Sequence, residues 1–216
     1  MIDVTLIDSM GSDLTVVNAA RVSFNKKSDW DEDNTLTVTD SILISYLARH
    51  KHMSPFGHCF ATFHVKAPVF VARQLVKHKF LRWNEVSRRY VDHEPEFYEP
   101  TTWRKRSKDK KQGSAGEITL SYKTISTLAK NAVWYRKTYK KLIDDGIAPE
   151  QARMTLPLSL MTEWHWSGSL DAWSDMCRLR QSEDTQEETR LVANSISMDM
   201  GTLFPDSWKA LLAYNR

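Results

Sequence analysis

One continuous run, "CFATFHVKAPVFVARQLVKH" from Cys59 to His78, changes its period part-way along, and that change restricts the fold more than any other feature of the chain. Cys59 to Ala67 is rich in aromatic and β-branched residues, which suit a pleated, half-buried surface, and so predicts a strand. Pro68 ends it, because proline has no N–H to give to a sheet ladder. The same residue suits the first turn of a helix, where that N–H would have no acceptor. The helix it opens puts Val69, Ala72 and Val76 on one face, with Arg73 and Lys77, and Gln74 and His78, as i,i+4 neighbours on others. A strand running straight into a helix, within 216 residues, points to an α+β fold. We expect a small, mostly antiparallel sheet flanked by helices, in a single domain spanning 1–216 that can bury a core without staples.

The flanking segments agree. "MIDVTLID" alternates as a strand does, and "LTVTDSILISYLARH" has helical spacing behind the candidate caps Thr37 and Thr39. "EITLSYKTISTLAKNAVWYRKTYKKLIDDG" predicts a long amphipathic helix closed by Gly146, with a second short helix opening at Pro149. "LPLSLMTEWHWS" fits a strand or a buried helix, whereas "SLDAWSDMCRLRQ" and "TQEETRLVANSISMDM" are helical in period. Between them, prolines after Glu94 lead into "WRKRSKDKKQGSAG", where six basic residues stand against Asp109. That composition predicts a mobile, solvated basic loop over 99–116.

Charge and cysteine content exclude several classes. The formal net charge is only +3, so local anion sites are expected rather than a wholly basic, nucleic-acid-binding face. Cys59 and Cys177 have no C-x-x-C spacing, which argues against a disulfide framework or a zinc site and for a reducing cytoplasm; no metal site is expected. "MIDVTLIDSM" is too short and too acidic for a signal peptide, and no run approaches the ~18 apolar residues of a membrane span. A soluble cytoplasmic protein with no membrane partner is the expectation.

"KHKFLRWNEVSRRY" carries six basic residues, Lys77, His78, Lys79, Arg82, Arg88 and Arg89, around Glu85. Like charges so close repel unless an anion sits among them. The end of a helix favours cations and accounts for Lys77 to Lys79, but leaves Arg88 and Arg89 unexplained. A phosphate dianion is held by several short donors together, such as guanidinium forks, a hydroxyl and an amide. Ser87, Arg88 and Arg89 offer the first two, and Gln74, one turn before Lys77, offers the third.

This segment, with "HMSPFGH" and "HVKAPVFVARQ" before it, resembles the signature of the flavin-dependent thymidylate synthases. Their pattern is R-H-R, two residues, S, one residue, N-E, one residue, S, one residue, R-Y. It is matched at His78, Asn84, Glu85, Ser87, Arg89 and Tyr90, with Lys77, Lys79 and Arg82 as departures. "GIAPEQARMTLPLSLMTEWHW" is similar to the family's "A-R…L-P…T" segment, and "LRQSEDTQEETR" to its "L-R…A-Q-x-E-I-R" segment, so the resemblance covers Lys51 to Arg190.

The resemblance implies that dUMP is methylated to dTMP with methylenetetrahydrofolate as carbon source, FAD as hydride source and NADPH as reductant. It implies a homotetramer with sites shared between subunits. Matched positions assign Gln74, Lys77, Ser87, Arg89 and Arg153 to dUMP, with Glu85 and Arg88 beside it. Arg180 matches the arginine at the uracil edge and is the catalytic candidate; a plain helix-surface arginine paired with Asp184 is the alternative. His52, Ser54, Lys77, His78, Lys79 and Glu85 match flavin positions. Ser169, Asp171 and Asp175 stand where Asn, Arg and Asn often contact FAD, so Asp171 reverses a charge there. No nucleophile is needed, and each cysteine is expected to be a small buried apolar residue. A different class, a binder of single-stranded nucleic acid using the basic loop with Trp83, Tyr90 and Trp103, is the rival; no stable nucleic-acid partner is expected.

Overall fold

The computed structural model describes residues 1–108 and 113–214. In chain order the elements are β1 (Asp3–Met10), α1 (Asp13–Arg21), α2 (Val38–Arg49), β2 (Phe60–Pro68), α3 (Val69–Leu75), β3 (Arg82–Glu85), β4 (Trp103–Arg106), β5 (Ser114–Ile118), α4 (Tyr122–Asp144), α5 (Pro149–Ala152), β6 (Met161–Ser169), α6 (Leu170–Arg180), α7 (Glu187–Leu203) and α8 (Pro205–Tyr214). Four strands form one antiparallel sheet in the order β1-β2-β6-β3. The α+β class expected from the sequence is therefore the one observed.

The sheet sorts its residues by period two. Ala61, Phe63, Val65 and Ala67 of β2 and Trp164 and Trp166 of β6 are buried on one face, where α3, α6 and α7 pack. Trp173 of α6 meets Phe63 and Trp166 edge-on, with ring centroids 5.1 and 5.0 Å away, and its indole N–H donates to the Ala61 carbonyl at 3.2 Å. The opposite face is polar: His64 faces Glu163 at 3.1 Å and Thr62 donates to Ser167 at 2.9 Å. Apolar inside and polar outside is the usual economy of an antiparallel sheet with one covered face.

The ambiguous segment around Trp164 is a strand, and Pro68 does close β2 and cap α3. Three expectations need correcting. α3 ends at Leu75, so Lys77 and His78 lie in the turn beyond it and are not i,i+4 partners of Arg73 and Gln74. The buried face of α3 is Val71, Ala72 and Leu75, not Val69, Ala72 and Val76. The cause is long-range: Leu81, 5% exposed, packs so tightly over Gly168 of β6 that a Cβ there would lie 2.2 Å from its side chain. The chain must leave the helical path early to bring Leu81 down and lay β3 beside β6. Third, the segment expected to be a loop over 99–116 contains a two-stranded hairpin, β4 with β5. Its tip, 109–112, lies outside the described residues. α4 consequently starts at Tyr122, behind an Ser121 cap that accepts from Thr124 N–H, not at Glu117.

Candidate functional site

The turn between α3 and β3 carries Lys77, His78 and Lys79 to the rim of a cavity of about 540 Å³, whose other lining includes Phe80, Leu81, Ala172, Asp175, Arg178 and Leu179. His78 is half-buried, and its Nε2 accepts a hydrogen bond from Arg180 Nε at 3.0 Å. Nε2 must then be bare, which puts the ring proton on Nδ1. Burial, and secondarily the Arg180 charge, pull the His78 pKa from 6.5 down to about 4. His78 is thus a neutral donor at neutral pH.

Arg180, the last residue of α6, also donates from Nη2 to the backbone carbonyl of Gln74 at 3.0 Å. Burial lowers its pKa. It is therefore not an idle surface arginine: two of its donors tie α6 to α3 and to the turn, and the remaining N–H groups are left for a ligand. The Gln74 side chain is held in turn, donating from Nε2 to Gln186 Oε1 at 2.6 Å and accepting at Oε1 from Thr189 Oγ1 at 3.2 Å. Arg180, more than 100 positions on, thus joins Gln74 and His78 into one bonded chain.

The other matched residues lie on several separate elements. Glu85, at the end of β3, accepts from Thr162 Oγ1 at 2.9 Å and Trp83 Nε1 at 3.2 Å and pairs with Arg73 at 3.5 Å. In the following turn Ser87 Oγ accepts from the Arg89 N–H at 3.3 Å, and Arg89 is exposed over the Tyr90 ring. Arg88 faces the other way: 8% exposed, it donates to the His93 carbonyl and lies 5.6 Å above the Tyr139 ring of α4. Arg153, exposed in the turn after α5, donates to the Glu150 carbonyl at 3.3 Å. His52 and Ser54 are exposed on the α2–β2 connection, His52 with Tyr46 stacked 6.1 Å away. Ser169 caps α6, Asp171 lies in its first turn, and Asp175 pairs with Arg178 at 3.1 Å.

Sequence reasoning missed Gln186 and Thr189, although both lie inside "TQEETR"; the residues they hold are 112 and 115 positions away. It also missed Arg104, whose guanidinium binds Glu187 at 2.7 Å and Glu188 at 2.7 Å and so anchors the hairpin to the first turn of α7. The rival nucleic-acid surface loses a platform here, because Trp83 is stacked on Trp164 at 4.3 Å and packed against the core. Both cysteines are buried; burial pushes the Cys59 thiol up to about 11 and the Cys177 thiol upward as well, which disfavours thiolate chemistry.

Comparison with known proteins decides the family. The family described as "Thymidylate synthase complementing protein" matches residues 5–206. A flavin-dependent thymidylate synthase of Thermus thermophilus is 40% identical over 208 residues, covering 96% of this chain and 74% of that protein. One from Treponema denticola is 42% identical over 193 residues, covering 87% and 70%. The chain belongs to the flavin-dependent thymidylate synthase family. Among solved structures, a UMP/dUMP methylase, PolB from Streptomyces cacaoi bound with 5-Br dUMP, superposes with a TM-score of 0.84 at 31% identity, covering 99% of this chain and 96% of that one.

The residues of this enzyme suit the cofactor its family is named for. The cavity joins cationic Lys77 and Lys79 to apolar Phe80, Leu81 and Leu179, a combination that matches a phosphate-bearing, planar ligand. One atom departs from the pattern: Asp171 Oδ1 is buried without a hydrogen-bond partner. A carboxylate there accepts donors, where a guanidinium would supply them. Among the described residues no group of three or more His, Cys, Asp or Glu is placed to hold a metal ion, and no helix is long and apolar enough to cross a membrane.

Proposed function

We propose that the enzyme reductively methylates dUMP to dTMP, with methylenetetrahydrofolate as carbon donor and NADPH-reduced FAD as hydride source. The observation that carries this is the Gln74–Arg180–His78 chain, which reaches a cationic cavity through His78. When bound, the flavin supplies the hydride; every other task falls to side chains. Lys77 and Lys79 neutralise phosphate charge, and His78 offers a directed N–H donor from Nδ1. Arg180 presents its remaining N–H groups to the uracil edge, stabilising negative charge that develops on the pyrimidine as C5 attacks the methylene carbon. Gln74, Ser87, Arg89 and Arg153 hold the nucleotide, with Glu85 and Arg88 beside it, while His52, Ser54, Ser169, Asp171 and Asp175 complete the flavin's surroundings.

The same reading makes the enzyme a cytoplasmic homotetramer with active sites shared between subunits. Arg89 and Arg153 are exposed and, among the described residues, hydrogen-bonded within their own turns, a state suited to binding across an interface. α4 supports the association: of its 23 residues only Tyr139 is buried, while Ile125, Leu128, Val133 and Trp134 are 51, 40, 47 and 57% exposed. Helices hold their place by burying an apolar face, and one this open calls for a neighbour.

UMP is a second candidate substrate, because the PolB structure is also known bound with 5-Br UMP, with a TM-score of 0.85. The test is direct. FAD titrated into the protein should show saturable fluorescence quenching and leave it yellow. Reduced enzyme given methylenetetrahydrofolate should then convert dUMP, and UMP if the pocket admits a 2′-hydroxyl, into the 5-methyl nucleotide. No saturable FAD binding, or no methylated product from either nucleotide, refutes the assignment.

A further inference from the structure

We infer that Thr189 is a positioning residue for nucleotide binding, acting on Gln74 with Gln186 as the opposing contact. The inference rests on the reading of Gln74 as a nucleotide ligand. A glutamine carboxamide has two ends of nearly the same shape, one donating and one accepting, and nothing in the side chain itself selects which end faces a ligand. In this chain two contacts hold the carboxamide in place. Thr189 Oγ1 donates to Gln74 Oε1 at 3.2 Å, and Gln186 Oε1 accepts from Gln74 Nε2 at 2.6 Å. Each contact uses one of the two valences at its end, leaving Gln74 one N–H and one lone pair in fixed directions.

Thr189 is well placed to impose this. It is fully buried in the first turn of α7, and a threonine in a helix ordinarily turns its hydroxyl back to the carbonyl four residues earlier. Here the hydroxyl leaves the helix and reaches α3 instead. The turn it stands on is fixed twice over: the Gln186 carbonyl accepts from the Thr189 and Arg190 N–H groups at 3.0 Å each, and Arg104 grips Glu187 and Glu188 between them. Since the Gln74 carbonyl also receives Arg180 Nη2, one residue of α3 is held by α6 through its backbone and by α7 through its side chain.

Removing the hydroxyl without changing shape, Thr189→Val, leaves Gln74 Oε1 without its donor and frees the amide to turn. The FAD-loaded enzyme is titrated with dUMP. We expect Thr189→Val and Thr189→Ala to raise the dUMP Kd about tenfold, the size of one lost hydrogen bond with its oriented acceptor. Thr189→Ser, which keeps the hydroxyl, should stay within about twofold of the parent protein, and FAD affinity should be unchanged in all three. In a Gln74→Ala background, Thr189→Val should add nothing, because the group it positions is gone. The inference is overturned if Thr189→Val and Thr189→Ala bind dUMP as the parent does, if Thr189→Ser is as weak as Thr189→Val, or if the two losses add in the double variant. Failure of the parent enzyme itself to bind dUMP or UMP refutes the reading of the site and this inference with it, an outcome distinct from parent binding that is indifferent to residue 189.

Discussion

The His78–Arg180 contact predicts a pH dependence that one substitution should remove. In the folded protein His78 stays neutral down to about pH 4, because the ring is partly buried and Arg180 both donates to it and repels a second positive charge. Unfolded, it protonates around its ordinary value of 6.5. Between those values the unfolded chain binds more protons than the folded one, so stability is fully present above pH 6.5 and falls as the pH drops toward 4. The gap corresponds to at most about 3.4 kcal/mol. Solvent at the half-exposed ring reduces it, and about 1.5 kcal/mol is a fair expectation. His78→Gln is the informative variant, since its amide oxygen can still accept from Arg180 Nε but does not titrate. Urea unfolding of both proteins in the ligand-free state at pH 7.5, 6.5, 5.5 and 4.5 measures the difference, and all other carboxylates and histidines cancel. The variant should gain on the parent by about 1.5 kcal/mol from pH 7.5 to 4.5. Parallel stability curves would refute the assignment of the neutral, accepting tautomer to His78.

Two further outcomes follow from the same geometry. Arg180→Ala should lower the single-turnover rate of dTMP formation about a hundredfold at saturating substrates, since a donor aimed at a developing anion is worth on the order of 3 kcal/mol, and Arg180→Lys should recover only part; because Arg180 also steadies His78, FAD affinity should weaken too, and a parent-like rate in Arg180→Ala removes the residue from the mechanism. Arg104→Met leaves Glu188, 4% exposed, without its cation, which should cost about 3 kcal/mol and lower the Tm by roughly 10 °C in a chain of this size; adding Glu188→Gln should restore most of it, and a Tm within 2 °C of the parent in Arg104→Met alone would show that the latch does not hold the hairpin.

Local sequence signals identify the elements that local physics decides. β2 was legible because its buried residues alternate without a break from Ala61 to Ala67, and the start of α3 because a proline can stand there and almost nowhere else. What failed was decided elsewhere in the chain. The end of α3 is set by Leu81 lying on Gly168, 87 positions later than the side chain it receives, and no helix propensity contains that contact. The basic segment looked like a solvated loop because its charges outnumber local countercharges, yet Arg104 finds Glu187 and Glu188 more than 80 residues on. Charge counted along a sequence shows how much compensation a fold must find, and not where it finds it.

The same distinction divides the site. The six cations of "KHKFLRWNEVSRRY" looked from the sequence like one floor for anions, but the fold sorts them by direction. Lys77 and Lys79 face the cavity, His78 is kept neutral, Arg82 is exposed at the start of β3, Arg88 turns inward over Tyr139, and Arg89 is left exposed. Their mutual repulsion is relieved by separation and by removing one proton, so the cluster does not need a single anion to exist. The residue types proposed for the site are therefore readable as motifs, while their states are not: the tautomer of His78, the two donors Arg180 has already committed, and the contacts that hold Gln74 all come from α6 and α7. A motif names the groups that can bind; the bonds those groups have already made determine which of their donors and acceptors remain for a ligand.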